Sequence, residues 1–140
     1  GYNTTLPGYS FDLKRQLVFG GHGFVVTPLE SGIRIGGAVE LGGLKLAPNF
    51  RRADAMLKKA AMFMPGLVTT GGKQWMGFRP SLPDSLPAIG FSRRPPRIVY
   101  AFGHGHLGLT QAAATGKLVT ELLSGAPSSL DLTPFSPQRF

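Results

Sequence analysis

Apolar and polar residues alternate most clearly between residues 23 and 41, in the stretch GFVVTPLESGIRIGGAVEL. Two extended runs, Gly23 to Pro28 and Gly32 to Leu41, are separated by the short connection Leu29-Glu30-Ser31. Alternation interrupted by a few turn residues is typical of a β-hairpin. The pattern therefore predicts two antiparallel strands. It places four residues on one face of the second strand, namely Ile33, Ile35, Gly37 and Val39.

The opposite face of this second strand has almost no side chains at its centre. It carries Arg34, Gly36, Ala38 and Glu40. Glycine weakens a strand unless another backbone or a ligand approaches it closely. Both explanations are open, and close packing against a neighbouring element is favoured over ligand contact.

A first helix follows the hairpin. Asn49 is positioned to cap a helix that runs from Phe50 to about Met64. Five apolar residues in this segment recur at the spacing of one buried face, namely Ala53, Met56, Leu57, Ala60 and Met64. Three of the four methionines lie in or beside this helix, which indicates core packing rather than a metal or cofactor site.

The second half of the chain contains a proline-rich loop, a strand and a second helix. The apolar run from Arg97 to Phe102 predicts the last strand. The helix is expected to extend to about Leu123, because Gly125 and Pro127 form a stop signal. The 20 glycines and 12 prolines cut the sequence into short elements, which favours strands and turns with a few helices. Residues 128–140 show no periodicity.

Composition limits the possible functions. The 140 residues have the length of one domain. The absence of cysteine excludes disulfides, thiolate chemistry and a flavin bound through a cysteine sulfur within this span. No stretch approaches the roughly 18 apolar residues of a membrane helix. The net charge of +8 invites a nucleic-acid interpretation, but the basic residues are dispersed, which favours a solvated surface or one facing an acidic partner region.

The stretch FGHGHLG contains Gly103, Gly105 and Gly108 at the spacing G-x-G-x-x-G of a dinucleotide-binding turn. Such a turn requires a second parallel strand that ends in an acidic residue about 20 positions further on. Here the acidic residue is Asp131. It lies in the stretch Leu130-Asp-Leu-Thr-Pro134, where a central strand is not expected. The βαβ unit is therefore not completed, and the sequence does not predict a nucleotide domain.

The three glycines and the N-terminus of the helix that follows them could nevertheless bind a ligand with a hydrogen-bond acceptor. The first N–H groups of a helix carry a partial positive charge, and no acidic residue occupies this first turn. An ordinary tight turn explains the spacing equally well. A stripe of small residues, Gly108, Ala112 and Gly116, predicts that the helix lies close to another backbone. His104 and His106 form H-x-H; we expect them to cap the helix or line a cleft, and no metal site is predicted.

Arg79 stands before Pro80 in the aromatic, apolar run WMGFRP. Proline holds the preceding residue extended, and a guanidinium can bind both oxygens of a carboxylate. Arg79 is therefore a candidate for binding a substrate carboxylate. The alternatives are a structural ion pair with Asp84 or Glu40, or a solvated side chain.

Taken together, four segments resemble the C-terminal part of the FAD-dependent D-amino-acid dehydrogenase and oxidase family, which includes glycine oxidase. They are GIRIGGAVEL, WMGFRPSLPDSLPAIG, YAFGHGHLGLTQAAATGKLVTELLSG and DLTPFSPQRF. The resemblance covers nearly all of the chain. In that family the dinucleotide-binding turn lies in an N-terminal domain that is absent here, so the resemblance implies a fragment of a larger protein.

The resemblance implies an α+β fold. Residues 1–90 would form the mainly antiparallel sheet and helices of a substrate-binding portion, and residues 91–140 a strand and helix that return to the FAD-binding domain. Arg79 would bind the amino-acid carboxylate. Six residues would contact the pyrimidine edge of a non-covalently bound FAD, namely Gly105, His106, Leu107, Gly108, Leu109 and Thr110.

The implied activity is oxidation of the α-carbon C–N bond of D-amino acids by hydride transfer to flavin N5, which gives a 2-oxo acid and ammonia. Tyr2, Tyr9 and Trp75 are expected in the core or in the substrate pocket. The expected location is cytoplasmic, with peripheral attachment to the inner membrane and a quinone acceptor as one alternative. The implied partners are the substrate, FAD and the N-terminal domain, without nucleic acid. The alternative function is an inert basic binding domain.

Overall fold

The structure, a computed structural model, describes residues 1–95 and 98–140. Arg97, the first residue of the last predicted strand, lies outside the described residues. The chain forms two compact units, Gly1–Phe78 and Arg79–Phe140. This division precedes the predicted boundary between residues 90 and 91, because the loop that begins at Arg79 makes its contacts within the second unit. The assignment of the two portions to substrate and flavin binding stays a prediction.

The first unit contains a five-stranded antiparallel sheet, one α-helix, α1, at Arg51–Phe63, and two short 3-10 helices at Gly8–Ser10 and Gly20–His22. The strand order is β2-β3-β4-β1-β5. The strands are β1 at Tyr2–Leu6, β2 at Leu17–Phe19, β3 at Phe24–Leu29, β4 at Gly32–Ala38 and β5 at Lys73–Met76. The predicted hairpin is confirmed as β3 and β4, although β4 ends at Ala38 rather than at Leu41.

The core of the first unit lies between one face of the sheet and α1. From the sheet it takes Leu6, Phe24, Val26, Ile33 and Ile35, and from α1 and the turn after it Met56, Ala60, Met64 and Leu67. The predicted apolar face of α1 is confirmed, with Ala53 also buried and Leu57 partly buried. Burial of these side chains is the main favourable term in folding of this unit.

The predicted cap of α1 is wrong. Phe50 is the residue that precedes the helix, and no side chain forms a cap hydrogen bond there. The backbone N–H of Asn49 instead donates to the hydroxyl of Tyr2, at 2.9 Å. The sequence signal failed because a tertiary contact from β1 determines the position of Asn49.

The bare centre of β4 is explained by close packing. The side-chain oxygen of Asn3 on β1 occupies the space where a Cβ on Gly36 would lie. Gly37 has a φ of 147°, and the carbonyl oxygen of Gly23 fills the corresponding space beside it. The favoured interpretation of this stretch, contact with a neighbouring element, therefore agrees with the structure.

The second unit contains the antiparallel strands β6 at Ala88–Phe91 and β7 at Val99–Phe102, and a helix, α2, at Gly108–Ser124. The sequence predicted β7 and α2 but not β6. Gly125 ends α2 with a φ of 71°, as its stop signal predicts. The α+β class with a mainly antiparallel sheet is confirmed. No helix within the described part of the chain is long and apolar enough to cross a membrane.

Candidate functional site

Two segments of the second unit contact each other through their backbones. We call residues 79–87 the arginine loop and residues 103–108 the glycine turn. The carbonyl oxygen of Pro80 accepts a hydrogen bond from the N–H of Gly105, at 3.1 Å. Ser81 and His104 form an isolated antiparallel bridge. Arg79, which directly precedes Pro80, is therefore attached to the segment that leads into α2.

The glycine turn depends on backbone conformations that side chains rarely adopt. Gly103 has a φ of 86°, and Cδ1 of Leu82 lies 2.6 Å from the position of a Cβ on it. Gly105 has a φ of 56°, and the hydroxyl oxygen of Ser81 lies 3.3 Å from the corresponding position. Positive φ is accessible to glycine without steric cost. The glycines thus allow the arginine loop and the turn to lie side by side.

The start of α2 is open to an external hydrogen-bond acceptor. The residue before the helix, Leu107, forms no side-chain cap, and no acidic residue lies in the first turn. The first N–H groups of a helix lack an acceptor within the helix, and together they favour a negatively charged group. Leu109 in this first turn is 94% exposed. Its neighbours His106, Leu107 and Thr110 are exposed as well.

The two histidines of the glycine turn have different environments. The Nε2 atom of His104 lies 3.0 Å from the hydroxyl oxygen of Thr115, so this ring is attached to the second turn of α2. His106 is exposed. Within residues 1–95 and 98–140, no group of three or more histidine, aspartate or glutamate side chains is placed to hold a metal ion.

Arg79 is exposed, and both carboxylates that could have paired with it are held by other groups. Asp84 binds Arg139. Glu40 accepts hydrogen bonds from the hydroxyl of Tyr2 and from Arg52, which lower the pKa of its carboxyl. Among the carboxylates that the structure describes, none forms an ion pair with Arg79. The structural ion pair offered as an alternative is therefore not formed, and the charge of this guanidinium is available.

Arg139, near the C-terminus, binds the end of the arginine loop that contains Asp84 and Leu86. Arg139 donates through Nε to Asp84 Oδ2 at 2.5 Å and through Nη2 to Asp84 Oδ1 at 3.1 Å. The same guanidinium also donates to the carbonyl oxygens of Leu86, at 2.7 Å, and Ser136, at 3.0 Å. The sequence analysis missed this pair, because 55 positions separate its members and no local pattern links them.

Asp84 makes the stability of the second unit depend on pH. The hydrogen bonds from Arg139 lower the pKa of Asp84 below its usual value of 3.8. A carboxyl whose pKa is lower in the folded state stabilises the fold above the usual pKa, and this stabilisation is lost as the pH falls through the lower, folded value. We therefore expect Asp84→Asn to lower the melting temperature at neutral pH, and the difference from the unaltered protein to shrink in acid.

Melting curves followed by circular dichroism from neutral to acidic pH would measure this difference. Asp12→Asn is the matched control, because Asp12 pairs with Lys14 where both side chains are about four-fifths exposed, at 82% and 79%. Exposed pairs contribute little, so this variant should melt like the unaltered protein at every pH. A difference for Asp84→Asn that is the same in acid and at neutral pH would contradict the expectation.

Most of the surface of α2 has no partner in the described residues. Leu118 is the buried residue of the helix, and it marks the face that packs on β6 and β7. Ala112 is exposed, and nothing lies within 4 Å of the position of a Cβ on Gly116. The close backbone that the small-residue stripe predicts is therefore not found among residues 1–95 and 98–140.

The aromatic residues proposed as pocket lining divide into two groups. Tyr2 is 2% exposed, and its hydroxyl is bound to Glu40 and to the N–H of Asn49, so it is part of the framework of the first unit. Tyr9 and Trp75 are exposed. Trp75 lines a cleft in the first unit.

Comparison with known proteins now identifies the family. The model of the DAO family, described as FAD dependent oxidoreductase, matches residues 1–122. The chain belongs to the FAD-dependent oxidoreductase (DAO) family. The resemblance read from the four sequence segments is thereby confirmed.

Relatives within the DAO family include enzymes that act on amino acids. The chain is 40% identical to a D-amino-acid oxidase from Bradyrhizobium diazoefficiens over 144 residues, which cover 100% of the chain and 34% of that relative. Its fold is similar to glycine oxidase from Geobacillus kaustophilus, with a TM-score of 0.81 and 25% identity over 100% of the chain and 38% of the enzyme. It is also similar in fold to L-proline dehydrogenase from P. horikoshii, with a TM-score of 0.75 and 24% identity over 99% of the chain and 38% of the enzyme. This DAO-family chain thus spans about a third of the length of the relatives it matches.

Proposed function

We propose that this chain forms the substrate-carboxylate and flavin-edge portion of a longer FAD-dependent enzyme that oxidises D-amino acids. The observation that carries the proposal is the attachment of the arginine loop to the glycine turn, with 3.1 Å between the oxygen of Pro80 and the nitrogen of Gly105. A carboxylate-binding guanidinium and an electropositive helix start then belong to the same small unit. Membership of the DAO family and 40% identity to a D-amino-acid oxidase support the choice of reaction.

The residues of the glycine turn fit the edge of a flavin. Only the Cβ of His104, at 3.4 Å, lies near the position of a Cβ on Gly108, and the turn has no acidic side chain that would repel an anion. The N–H groups of Gly105 and Leu107 already donate to the carbonyl oxygens of Pro80 and His104. Those of His106, Gly108, Leu109 and Thr110 would hold the pyrimidine edge, and the partial positive charge of the helix start would stabilise negative charge there. When bound, FAD supplies the hydride acceptor of the reaction.

Arg79 would bind and orient the substrate. Its guanidinium would bind both oxygens of the amino-acid carboxylate, which fixes the α-carbon relative to the glycine turn. The α-hydrogen leaves this carbon with its electron pair, and the nitrogen gives up a proton, so the product is an imino acid. Hydrolysis of the imino acid then yields the 2-oxo acid and ammonia. The residues of this chain thus contribute positioning and charge to the reaction.

The exposed surface of α2 supports a longer protein. Leu109 and Leu123 on this surface are 94% and 67% exposed, beside the open stripe at Ala112 and Gly116. Apolar patches of this kind mark interaction surfaces in soluble proteins. We propose that the residues present in the relatives and absent here, which would form the dinucleotide-binding domain, cover this surface. Oxygen and a membrane quinone are both candidate electron acceptors.

The test is reduction of the flavin in the intact protein. Mixed without oxygen with a panel of D-amino acids, glycine and sarcosine, the protein should lose its visible flavin absorbance and release one 2-oxo acid per flavin reduced. L-amino acids serve as the matched control and should leave the absorbance unchanged. The 140-residue chain alone should retain no FAD after dialysis.

Two results would contradict the proposal. An intact protein that neither contains nor binds flavin would favour the inert basic binding domain. Reduction by L-amino acids and not by D-amino acids would remove the proposed substrate class. Once reduction is established, reoxidation by oxygen compared with a soluble quinone analogue identifies the electron acceptor.

A further inference from the structure

A row of polar side chains crosses one face of the sheet in the first unit. The strand register places Thr5 on β1 beside Arg34 on β4 and beside Lys73 on β5. Neighbouring strands lie about 4.8 Å apart, so Arg34 and Lys73 flank Thr5 on either side. The sequence neighbours of Arg34, Ile33 and Ile35, belong to the buried core with α1. The row therefore lies on the face of the sheet opposite α1.

This row lines a cleft with a volume of about 410 Å³. Sites for small molecules in proteins have volumes of about 300 to 1,000 Å³ and combine apolar walls with a few polar groups. Here Pro7 and the indole of Trp75 supply apolar wall, and Ser31 supplies a second hydroxyl beside the row. The cleft thus has room for a small organic molecule with one polar end.

Arg34 is held in place from two sides. Its Nε donates to the hydroxyl oxygen of Thr5 at 3.3 Å, and its guanidinium carbon lies 5.3 Å from the centre of the Trp75 ring. Stacking on an aromatic ring and the hydrogen bond from Nε reduce the conformational freedom of the Arg34 guanidinium before a ligand binds. The two terminal amino groups are the part of the guanidinium that these contacts leave for a ligand.

The positive charges of the row have no counter-charge in the described structure. Neither Arg34 nor Lys73 forms an ion pair with a carboxylate of residues 1–95 or 98–140. By contrast, Arg52 and Arg139 are each paired with an acidic side chain. A bound anion would supply the counter-charge that both side chains lack among these residues.

We propose that this cleft binds a small organic oxyanion, a carboxylate or a phosphate carried on an apolar body. The terminal amino groups of Arg34 bind two of its oxygens, and Lys73 contributes charge beside them. The ring of Trp75 and the side chain of Pro7 contact the apolar body. The site does not use the flavin or Arg79, so it stands independently of the proposed oxidation.

Calorimetric titration of the intact protein with two probes tests the site. Phenylacetate and phenyl phosphate share an aromatic body and differ in the anion, and phenol is the neutral control. Each titration is made in the Arg79→Ala background, which removes binding at the proposed substrate site. We expect at least one of the two anions to bind, and phenol to show no binding. Whichever anion binds more tightly identifies the ligand class.

Substitutions locate the binding. Arg34→Gln is expected to weaken binding of the anion at least about tenfold, since it removes two charge-assisted hydrogen bonds. Lys73→Gln, at an exposed position that should not disturb folding, is expected to weaken it severalfold. Arg51→Gln removes an exposed arginine on α1 and serves as the matched control, with unchanged affinity expected.

Three results would overturn the proposal. One is equal affinity in Arg79→Ala with and without Arg34→Gln or Lys73→Gln. Another is anion binding by the unaltered protein, titrated for comparison, that is lost in Arg79→Ala, which would assign it to the substrate site. The third is that neither phenylacetate nor phenyl phosphate gives a heat of binding at concentrations where phenol gives none. None of these results depends on whether the flavin is reduced by amino acids.

Discussion

Replacing Arg79 with alanine in the intact enzyme is expected to raise KM for the D-amino acid by about 100-fold or more. Two charge-assisted hydrogen bonds to the substrate carboxylate would be lost, at about 1.5 to 3 kcal/mol each, and every 1.4 kcal/mol is about tenfold in affinity. The substrate would also lose its orientation, so kcat should fall as well. The flavin spectrum should not change, because Arg79 is not expected to hold the cofactor.

The variant Arg79→Lys distinguishes the contribution of the positive charge from that of the two-pronged hydrogen-bond geometry of the guanidinium. Lysine keeps the positive charge but cannot donate two parallel hydrogen bonds to a carboxylate. This variant should therefore fall between the unaltered enzyme and Arg79→Ala in KM. Arg93→Ala, an exposed arginine of the same unit, is the control and should leave both constants unchanged. Steady-state kinetics with one D-amino acid measure all four proteins, and an unchanged KM in Arg79→Ala would remove Arg79 from the site.

The second large effect is expected at Gly103. An alanine there must adopt a φ of 86°, and its Cβ would lie 2.6 and 2.7 Å from two carbons of Leu82. A positive φ costs a residue with a Cβ about 1 to 2 kcal/mol, and overpacking costs about 1 to 3 kcal/mol. Gly103→Ala should therefore destabilise the second unit by about 2 to 5 kcal/mol. Because the arginine loop and the start of α2 both attach to this turn, the intact protein should also lose FAD on dialysis.

A pair of variants divides this effect into its two causes. Adding Leu82→Ala to Gly103→Ala removes the steric contact but not the backbone strain, so it should recover part of the FAD content. Gly20→Ala is the control, since nothing lies within 4 Å of the position of its Cβ and its φ is not positive. Melting temperature and bound FAD per protein are the measurements. Full FAD content in Gly103→Ala would show that the glycine turn does not position the cofactor.

The elements that the sequence predicted are those whose signals are local. The β3–β4 hairpin has its alternation and its turn within one short stretch, and both strands were found. The apolar spacing of α1 and the stop at Gly125 after α2 are local in the same sense. By contrast, β6 was missed because its four residues, AIGF, are too short to show a period. Its pairing partner, β7, lies outside this short stretch of sequence.

The candidate site divides in the same way. The sequence identified the arginine before proline and the glycine spacing, since these depend on residue type and order. It left open whether Arg79 pairs with Asp84 or Glu40. The structure answers that question through Arg139 and Arg52, which occupy these two carboxylates. Long-range partner choice of this kind cannot be read from local order.

By itself the sequence determined local elements such as the β3–β4 hairpin and α1, because backbone preferences and apolar periodicity act over a few residues. The fold class and the family followed from the resemblance of four segments to a known family. Only the tertiary structure decided that Pro80 in the arginine loop accepts a hydrogen bond from Gly105, and that Asp84 binds Arg139. It also decided that Arg34 and Lys73 flank Thr5. These contacts join residues far apart in sequence. They form only when the burial of apolar side chains has offset the entropy of closing the intervening chain.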